Sequence, residues 1–457
     1  MLEPSVSPEQ KPASPNRFLE SLANGQPIRA ELCGLEQLEL HAKALAASSP
    51  VAPGKKAGHP LLARFSENGR RLVKAHAQIV EATARQEGLA PDAEWLLDNF
   101  HIVLDTLREV RHDLPHGYYR ELPKLAAGPL AGLPRVYAVA VELIAHTDST
   151  LDEGNITRFV RAFQTVAPLT IGELWAVPIM LRLGLIENLR RLAEQMLEAW
   201  EHRRQAESCC GQLVQIQRQG RPAERHAPLA AFLRTQPTSS APFVVRLLQA
   251  LRDVGHEATG LIAWLETHFT ASGAPPTEML RREQQRQAAN QVSVGNCVTS
   301  LRLLSALDWS TLFERMSLVE AALRDDPAGV YARQDFATKD RSRKAVEQLA
   351  RGSGLDELTV ARRALELARR EVAVSGAPAG AAAAEAVHAG AGTIDPSALQ
   401  RRHVGYYLIA AGRKELAASI RARPSFKEWL LDAILTHANP VYFGALGMVF
   451  AALVIAV

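Results

Sequence analysis

Cysteine is scarce in this chain, with Cys33, Cys209, Cys210 and Cys297 the four thiols in 457 residues. No C-x-x-C pair occurs, and a bridge between the adjacent Cys209 and Cys210 would close a strained ring. Neither a disulfide framework nor a cysteine-based zinc site is therefore expected, and the thiols read as reduced and cytoplasmic. The amino terminus, Met1 to Gln10, has neither the basic nor the apolar stretch of a secretory signal. A sustained alternation of apolar and polar residues is also missing, which excludes more than a few residues of sheet. The formal net charge of +3 is too small over this length to imply a nucleic-acid partner, and none is expected.

The common catalytic signatures are missing too. There is no Asp-x-Asp to hold a divalent metal against a sugar nucleotide, and none of the tryptophans follows an arginine, so an acceptor-side Gln-x-x-Arg-Trp is absent. Gly-x-Ser-x-Gly, a phosphate-binding Gly-Lys-Ser/Thr loop and His-Glu-x-x-His do not occur. Gly390 and Gly392 begin like a dinucleotide fingerprint, but the third glycine and the preceding strand are missing. No catalytic residue, no metal ligand and no cofactor is assigned within the chain.

What is present is helical periodicity with enough apolar material, 47%, to fill proper cores. Leu96, Phe100, Val103, Leu107 and Val110 recur at intervals of four and three, one apolar helix face. Thr170-Ile-Gly-Glu173 reads as a capping box opening a helix whose buried stripe runs through Leu185, Leu189, Leu192, Met196 and Trp200. Pro178 should kink that helix or set its first turn apart. Glu187 and Arg191, four apart, are placed on its solvated side. Asn290, Gly295 and Asn296 read as the cap of a helix starting near Val298. The expected fold class is all-α, a multi-helix cytoplasmic body with a C-terminal transmembrane helix.

The expected organisation is a mostly disordered segment 1–58, a helical subdomain 59–205, a linker or insertion 206–237 and a second helical subdomain 238–374. An Ala/Gly-rich linker 375–398, basic juxtamembrane helices 399–439 and a membrane span 440–457 follow. Residues 440–457 carry no charge and would span about 27 Å as a helix, just under the roughly 30 Å hydrocarbon core. Tyr442 and Phe443 sit where an interfacial aromatic belt would lie, and Arg413, Lys414, Arg421, Arg423, Lys427 and Trp429 flank the run on its amino side. By the positive-inside rule the preceding mass faces the cytoplasm of an inner membrane. The alternative is a buried core helix.

Two clusters are candidates for ligand or partner contacts. Asp98, His101, Asp105, Arg108 and His112 line the polar face opposite the Leu96 to Val110 stripe and could position an acid or a base, or form an ordinary solvated face. Tyr118, Tyr119, Arg120 and Glu121 follow a Pro115-His-Gly117 turn; the rings could stack on sugars and the guanidinium could grip an anion, or the group could cover a helix end.

Four segments carry a family likeness: Arg111 to Lys124 leading into Gly128 to Tyr137, Pro168 to Pro178, Asn290 to Asn296, and Leu303 to Trp309. They resemble the amino-terminal region of bacterial cyclic β-1,2-glucan synthases, from about Leu61 to the end of the chain. The resemblance implies an inner-membrane enzyme that polymerises glucose from UDP-glucose with a divalent metal, Mg or Mn, and closes the product into a ring. In that family this region precedes a membrane-embedded glycosyltransferase domain and a phosphorylase-like domain, which would be its partners, normally on the same polypeptide. The sequence also admits a tail-anchored helical scaffold or a carbohydrate-binding module.

Overall fold

Helices account for the architecture, as the apolar spacing requires. The computed structural model describes residues 25–52, 60–84, 91–219, 226–237, 240–273, 275–375, 400–423 and 448, and no strand occurs among them. The only extended pairings there are two isolated bridges, Val51 with Leu125 and Lys124 with Pro134. The proposed span 440–457 apart from Met448, its flanking Lys427 and Trp429, and the linker 376–399 lie outside the described residues. Among the described residues, no helix is long and apolar enough to cross a membrane.

The chain divides into two compact units: Met1–Ala167 with Trp175–Trp309, and Pro168–Leu174 with Ser310–Val457. In the first unit α1 (Leu35–Ala47), α2 (Pro60–Ala84), α3 (Pro91–Asp98), α4 (Phe100–Asp113) and α5 (His116–Glu121) precede α6 (Arg135–His146) and α7 (Glu153–Gln164). Then come α8 (Ile171–Gln219), α9 (His226–Leu233), α10 (Ala241–Val254), α11 (Thr259–Ala271) and α12 (Pro276–Ala306). The second unit holds most of α13 (Trp309–Met316), then α14 (Leu318–Arg324), α15 (Phe336–Ser353), α16 (Glu357–Ser375), α17 (Val404–Ile409) and α18 (Arg413–Ser419).

Helix α6 is the axis of the first unit: every residue from Arg135 to Ala145 is buried. Its run Val-Tyr-Ala-Val-Ala-Val is apolar on all sides, which a helix tolerates only when neighbours cover it completely. Helix α8 crosses it closely at Gly184, where an added Cβ would lie 2.6 Å from Ile144 Cδ1 and would force that side chain to shift. Just after α6, Asp148 and Ser149 adopt left-handed backbone angles, φ 45° and 65°. This conformation is unfavourable for residues with a side chain and persists only when the surroundings enforce it. Helix α12 does so: Asn296 Nδ2 donates to Asp148 O at 2.9 Å and Ser300 Oγ to Ser149 O at 2.6 Å.

Several expectations change here. Asn290 to Asn296 lie inside the unbroken α12 and cap nothing; Asn296 holds the strained turn instead. Of the segment 1–58, residues 25–52 are described, and they hold a helix and a buried anchor. Helix α1 forms at 35–47, with Leu38, Ala42 and Leu45 buried, and Ile28 is fully buried. Within 206–237, expected as a linker or insertion, the described residues are packed: α8 continues to Gln219, and Ala206, Cys209, Cys210 and Leu213 join Leu229, Leu233, Phe243 and Leu247 in one apolar core. Gln212, Gln215 and Arg218 lie on the exposed face of the same helix. Pro178 lies within α8, whose helical assignment runs through it from Ile171. The segment 400–423 packs into the second unit, with Val404, Tyr407, Leu408 and Leu416 buried and Arg423 N donating to Gly352 O at 3.0 Å.

Candidate functional site

The residues singled out in the sequence fall on the periphery. Asp98, His101, Asp105, Arg108 and His112 are all exposed, and the paired groups are close neighbours, Arg108 with Asp105 at 2.7 Å and His112 with Asp113 at 3.0 Å. The stripe behind them is buried but is split between α3 and α4 at Asn99, whose Nδ2 donates to Trp95 O at 2.9 Å. In α5, Arg120 and Glu121 are exposed, Tyr118 is half-buried and Tyr119 is fully buried, with Lys124 Nζ 4.3 Å from its ring centre. Lys124 Nζ also donates to Tyr119 O and Leu122 O, so Tyr119 and Lys124 close the end of α5 and leave no ring for a sugar. Arg413 donates to Gln348 Oε1 and Leu408 O; Lys414, Arg421 and Arg423 are exposed.

A denser polar cluster sits between α1 and α6. Glu142 and His146, one turn apart on α6, share a face, and His41 reaches them from α1. His41 Nε2 is 2.9 Å and His146 Nε2 3.5 Å from Glu142 Oε2, and the two imidazole centres are 4.1 Å apart. Glu142 is completely buried. Burial disfavours its charged form, but the bonds from His146 and His41 outweigh it and hold the carboxyl below its ordinary range. Burial likewise opposes an imidazolium at His146, yet the Glu142 bond and the Glu31 carbonyl, 2.8 Å from Nδ1, raise its pKa. Cys33 Sγ lies 3.4 Å from the same Nδ1, and burial pushes this thiol up.

Along α8 a second buried cluster centres on Glu187. Arg191 Nη2 donates to its Oε1 at 2.6 Å, Arg64 Nε to Oε2 at 2.9 Å and Tyr137 Oη to Oε2 at 3.0 Å; Arg64 Nη2 pairs with Oε1 as well. Glu187 and Arg191 are each 1% exposed, so they are core and not the solvated side expected from their spacing. Burial would raise the Glu187 pKa, but Arg64 and Arg191 together hold it low. Beside it Asn188 accepts from Ile28 N at 2.7 Å and donates to Ser149 Oγ at 2.9 Å, tying the amino-terminal segment and the strained turn to α8.

The amino-acid sequence is 34% identical over 376 residues to the cyclic beta-(1,2)-glucan synthase NdvB of Rhizobium meliloti (strain 1021), an overlap covering 81% of this chain. This chain belongs to the cyclic β-1,2-glucan synthase family. It spans only 12% of the length of that relative. No family profile matches it.

In this cyclic β-1,2-glucan synthase family chain, the second unit repeats the pattern of a carboxylate enclosed by cations. Glu320, fully buried, accepts from Tyr331 Oη at 2.8 Å, Arg343 Nη1 at 3.2 Å and Arg324 Nε at 3.1 Å, with Lys339 Nζ at 3.7 Å. Asp326 accepts from Val404 N, Val330 N, Tyr331 N and His403 Nδ1, fastening α17 to the loop after α14. The Thr170 capping box forms as expected: Thr170 N donates to Glu173 Oε2 at 3.0 Å and Glu173 N to Thr170 Oγ1 at 3.1 Å.

Glu357 accepts from Ile171 N at 2.6 Å. Its carboxyl is pushed up to about 7 by burial and by the charges of Glu347 and Glu173, against the Ile171 bond and Arg351. The folded form therefore binds this proton more tightly than the unfolded chain, whose carboxyl titrates near 4.5. The associated stability is complete below about pH 4.5 and is lost as pH rises to about 7. Glu357→Gln keeps an oxygen for Ile171 N–H and cannot ionise. It is expected to stabilise the chain at pH 8 by about 2 kcal/mol, allowing for partial solvent screening, and to leave it unchanged at pH 4. Urea titrations at both pH values check this; equal midpoints for the two proteins at pH 8 would contradict it.

Proposed function

We propose that this chain is the helical, non-catalytic amino-terminal region of a membrane-bound cyclic β-1,2-glucan synthase, on the cytoplasmic side of a bacterial inner membrane. The observation that carries the reading is the 34% identity to NdvB across 376 residues. The absence of sugar-nucleotide and metal motifs from the sequence supports a supporting role, with transfer of glucose from UDP-glucose assigned to a glycosyltransferase domain. The charge-free run 440–457 and the cations before it support attachment to the membrane. The helical units are then a platform, and their buried ionic clusters fix shape rather than perform chemistry.

Purified chain incubated with UDP-glucose and magnesium is expected to form no glucan. A full-length synthase of this family whose matching segment is replaced by this chain is expected to make cyclic glucan, and one lacking the segment is not. Glucan formation by the isolated chain, or full activity of the deleted synthase, would overturn the reading.

A further inference from the structure

Three buried glutamates are paired with permanent cations: Glu187 with Arg64 and Arg191, Glu283 with Arg203 and Arg286, Glu320 with Arg324, Lys339 and Arg343. Glu142 is as deeply buried as any of them, yet the ion-pair partners it shows are two imidazoles, which carry charge only when protonated. Its second oxygen, Oε1, is buried and has no hydrogen-bond partner among the described residues. A fully buried carboxylate in that state lacks a cation.

We propose that His41, Glu142 and His146 bind one divalent first-row transition-metal ion, zinc(II) being the best fit. Two imidazole nitrogens and a carboxylate oxygen are zinc ligands by type, and the three offered atoms all lie within 4.8 Å of one another. Around an ion with bonds of about 2.0–2.2 Å, tetrahedral ligands stand roughly 3.3–3.6 Å apart, close to the 3.5 Å between His146 Nε2 and Glu142 Oε2. His41 at 2.9 Å from the same oxygen needs only a small outward shift.

The support around the ligands fits as well. With Nδ1–H of His146 given to the Glu31 carbonyl at 2.8 Å, Nε2 is left to present its lone pair toward Glu142. A backbone carbonyl holding the far nitrogen is how metal-bound histidines are oriented. Two acceptors facing each other are repulsive unless a proton or a metal ion lies between them. Cys33 is outside the shell, since its sulfur sits at Nδ1, the nitrogen turned away from the carboxylate. With His41 on α1 and the other two ligands on α6, the ion is a cross-link that fastens the amino-terminal helix to the buried axis of the first unit. This does not depend on the role proposed for the chain in glucan synthesis.

The test is equilibrium dialysis of the full, untagged chain against micromolar free zinc, with bound metal measured by atomic emission and geometry by the visible spectrum of the cobalt(II) form. The expected result is about one zinc per chain, tetrahedral cobalt bands, and a thermal midpoint that rises with zinc. His41→Ala, on the more accessible ligand, is expected to weaken binding by about 100-fold or more with helical content retained, whereas Cys33→Ser, beyond the shell, binds as before. Glu142→Gln is a second variant, judged only if its circular dichroism is unchanged. Wild-type chain that holds no more zinc than His41→Ala, or binding lost in Cys33→Ser but kept in His41→Ala, would overturn the assignment, the first result leaving the His146 imidazolium as the sole counter-charge of Glu142.

Discussion

Glu187→Ala is expected to destabilise the first unit by about 3–5 kcal/mol, a large fraction of what holds a domain together. The substitution removes the carboxylate that pairs with Arg191, which is 1% exposed and keeps the Gln26 carbonyl at 2.6 Å, and it removes the acceptor of the Tyr137 hydroxyl. The loss thus comes chiefly from stranding a buried guanidinium, and less from the attraction that disappears. This origin can be tested directly. If stranding dominates, Glu187→Met combined with Arg191→Met should recover much of the loss, because the fully buried guanidinium is gone and Arg64, 37% exposed, can turn to water. Urea unfolding followed by circular dichroism reports both quantities. A loss under about 1 kcal/mol for Glu187→Ala would show that Arg191 finds another partner.

In the second unit Glu320→Ala is expected to cost a similar amount, about 3–5 kcal/mol. Glu320 collects Tyr331, Arg343 and Arg324 from three separate segments, and Arg343 is fully buried between Phe313 and Phe336, whose ring centres lie 5.0 Å and 4.6 Å from its guanidinium carbon. Removing the carboxylate leaves Arg343 these ring contacts, worth about 2 kcal/mol at most when desolvated, a long bond to Phe336 O at 3.4 Å and a distant pairing with Glu314 Oε1 at 3.8 Å. Faster amide exchange in α14 and α15, with α6 unaffected, is the expected local signature. Uniform exchange rates unchanged from wild type would contradict it.

How far the sequence foretold this fold follows from which rules act within one helix. The all-α class, the Thr170 to Glu173 box and the stripe Leu185, Leu189, Leu192 are settled by spacing along a single helix, and all three are present in the structure. Glu187 and Arg191 obey the same spacing rule as an exposed pair, yet α2 and α6 cover them, and one-dimensional periodicity carries no information about what lies opposite a face. Asn290 to Asn296 look like a cap because asparagine and glycine favour helix ends; here they are tertiary contacts in a helix interior. The His41, Glu142 and His146 cluster escaped because its members are 101 residues apart in sequence. A single signal pointed to it, a lone Glu-x-x-x-His inside the apolar run of α6.

The anchoring of Ile28 and Arg29 has a consequence for the order of events during synthesis. Ile28 is held by Asn188, 160 positions later, and Arg29 by Ser293 and by the carbonyl of Ala289, 264 and 260 positions later. A ribosome delivering the chain must make about 260 further residues after Arg29 before these contacts exist, and closing so long a loop is slow. Residues 25–52 are therefore among the last of the first unit to settle, and they stay undocked while α12 is still being translated.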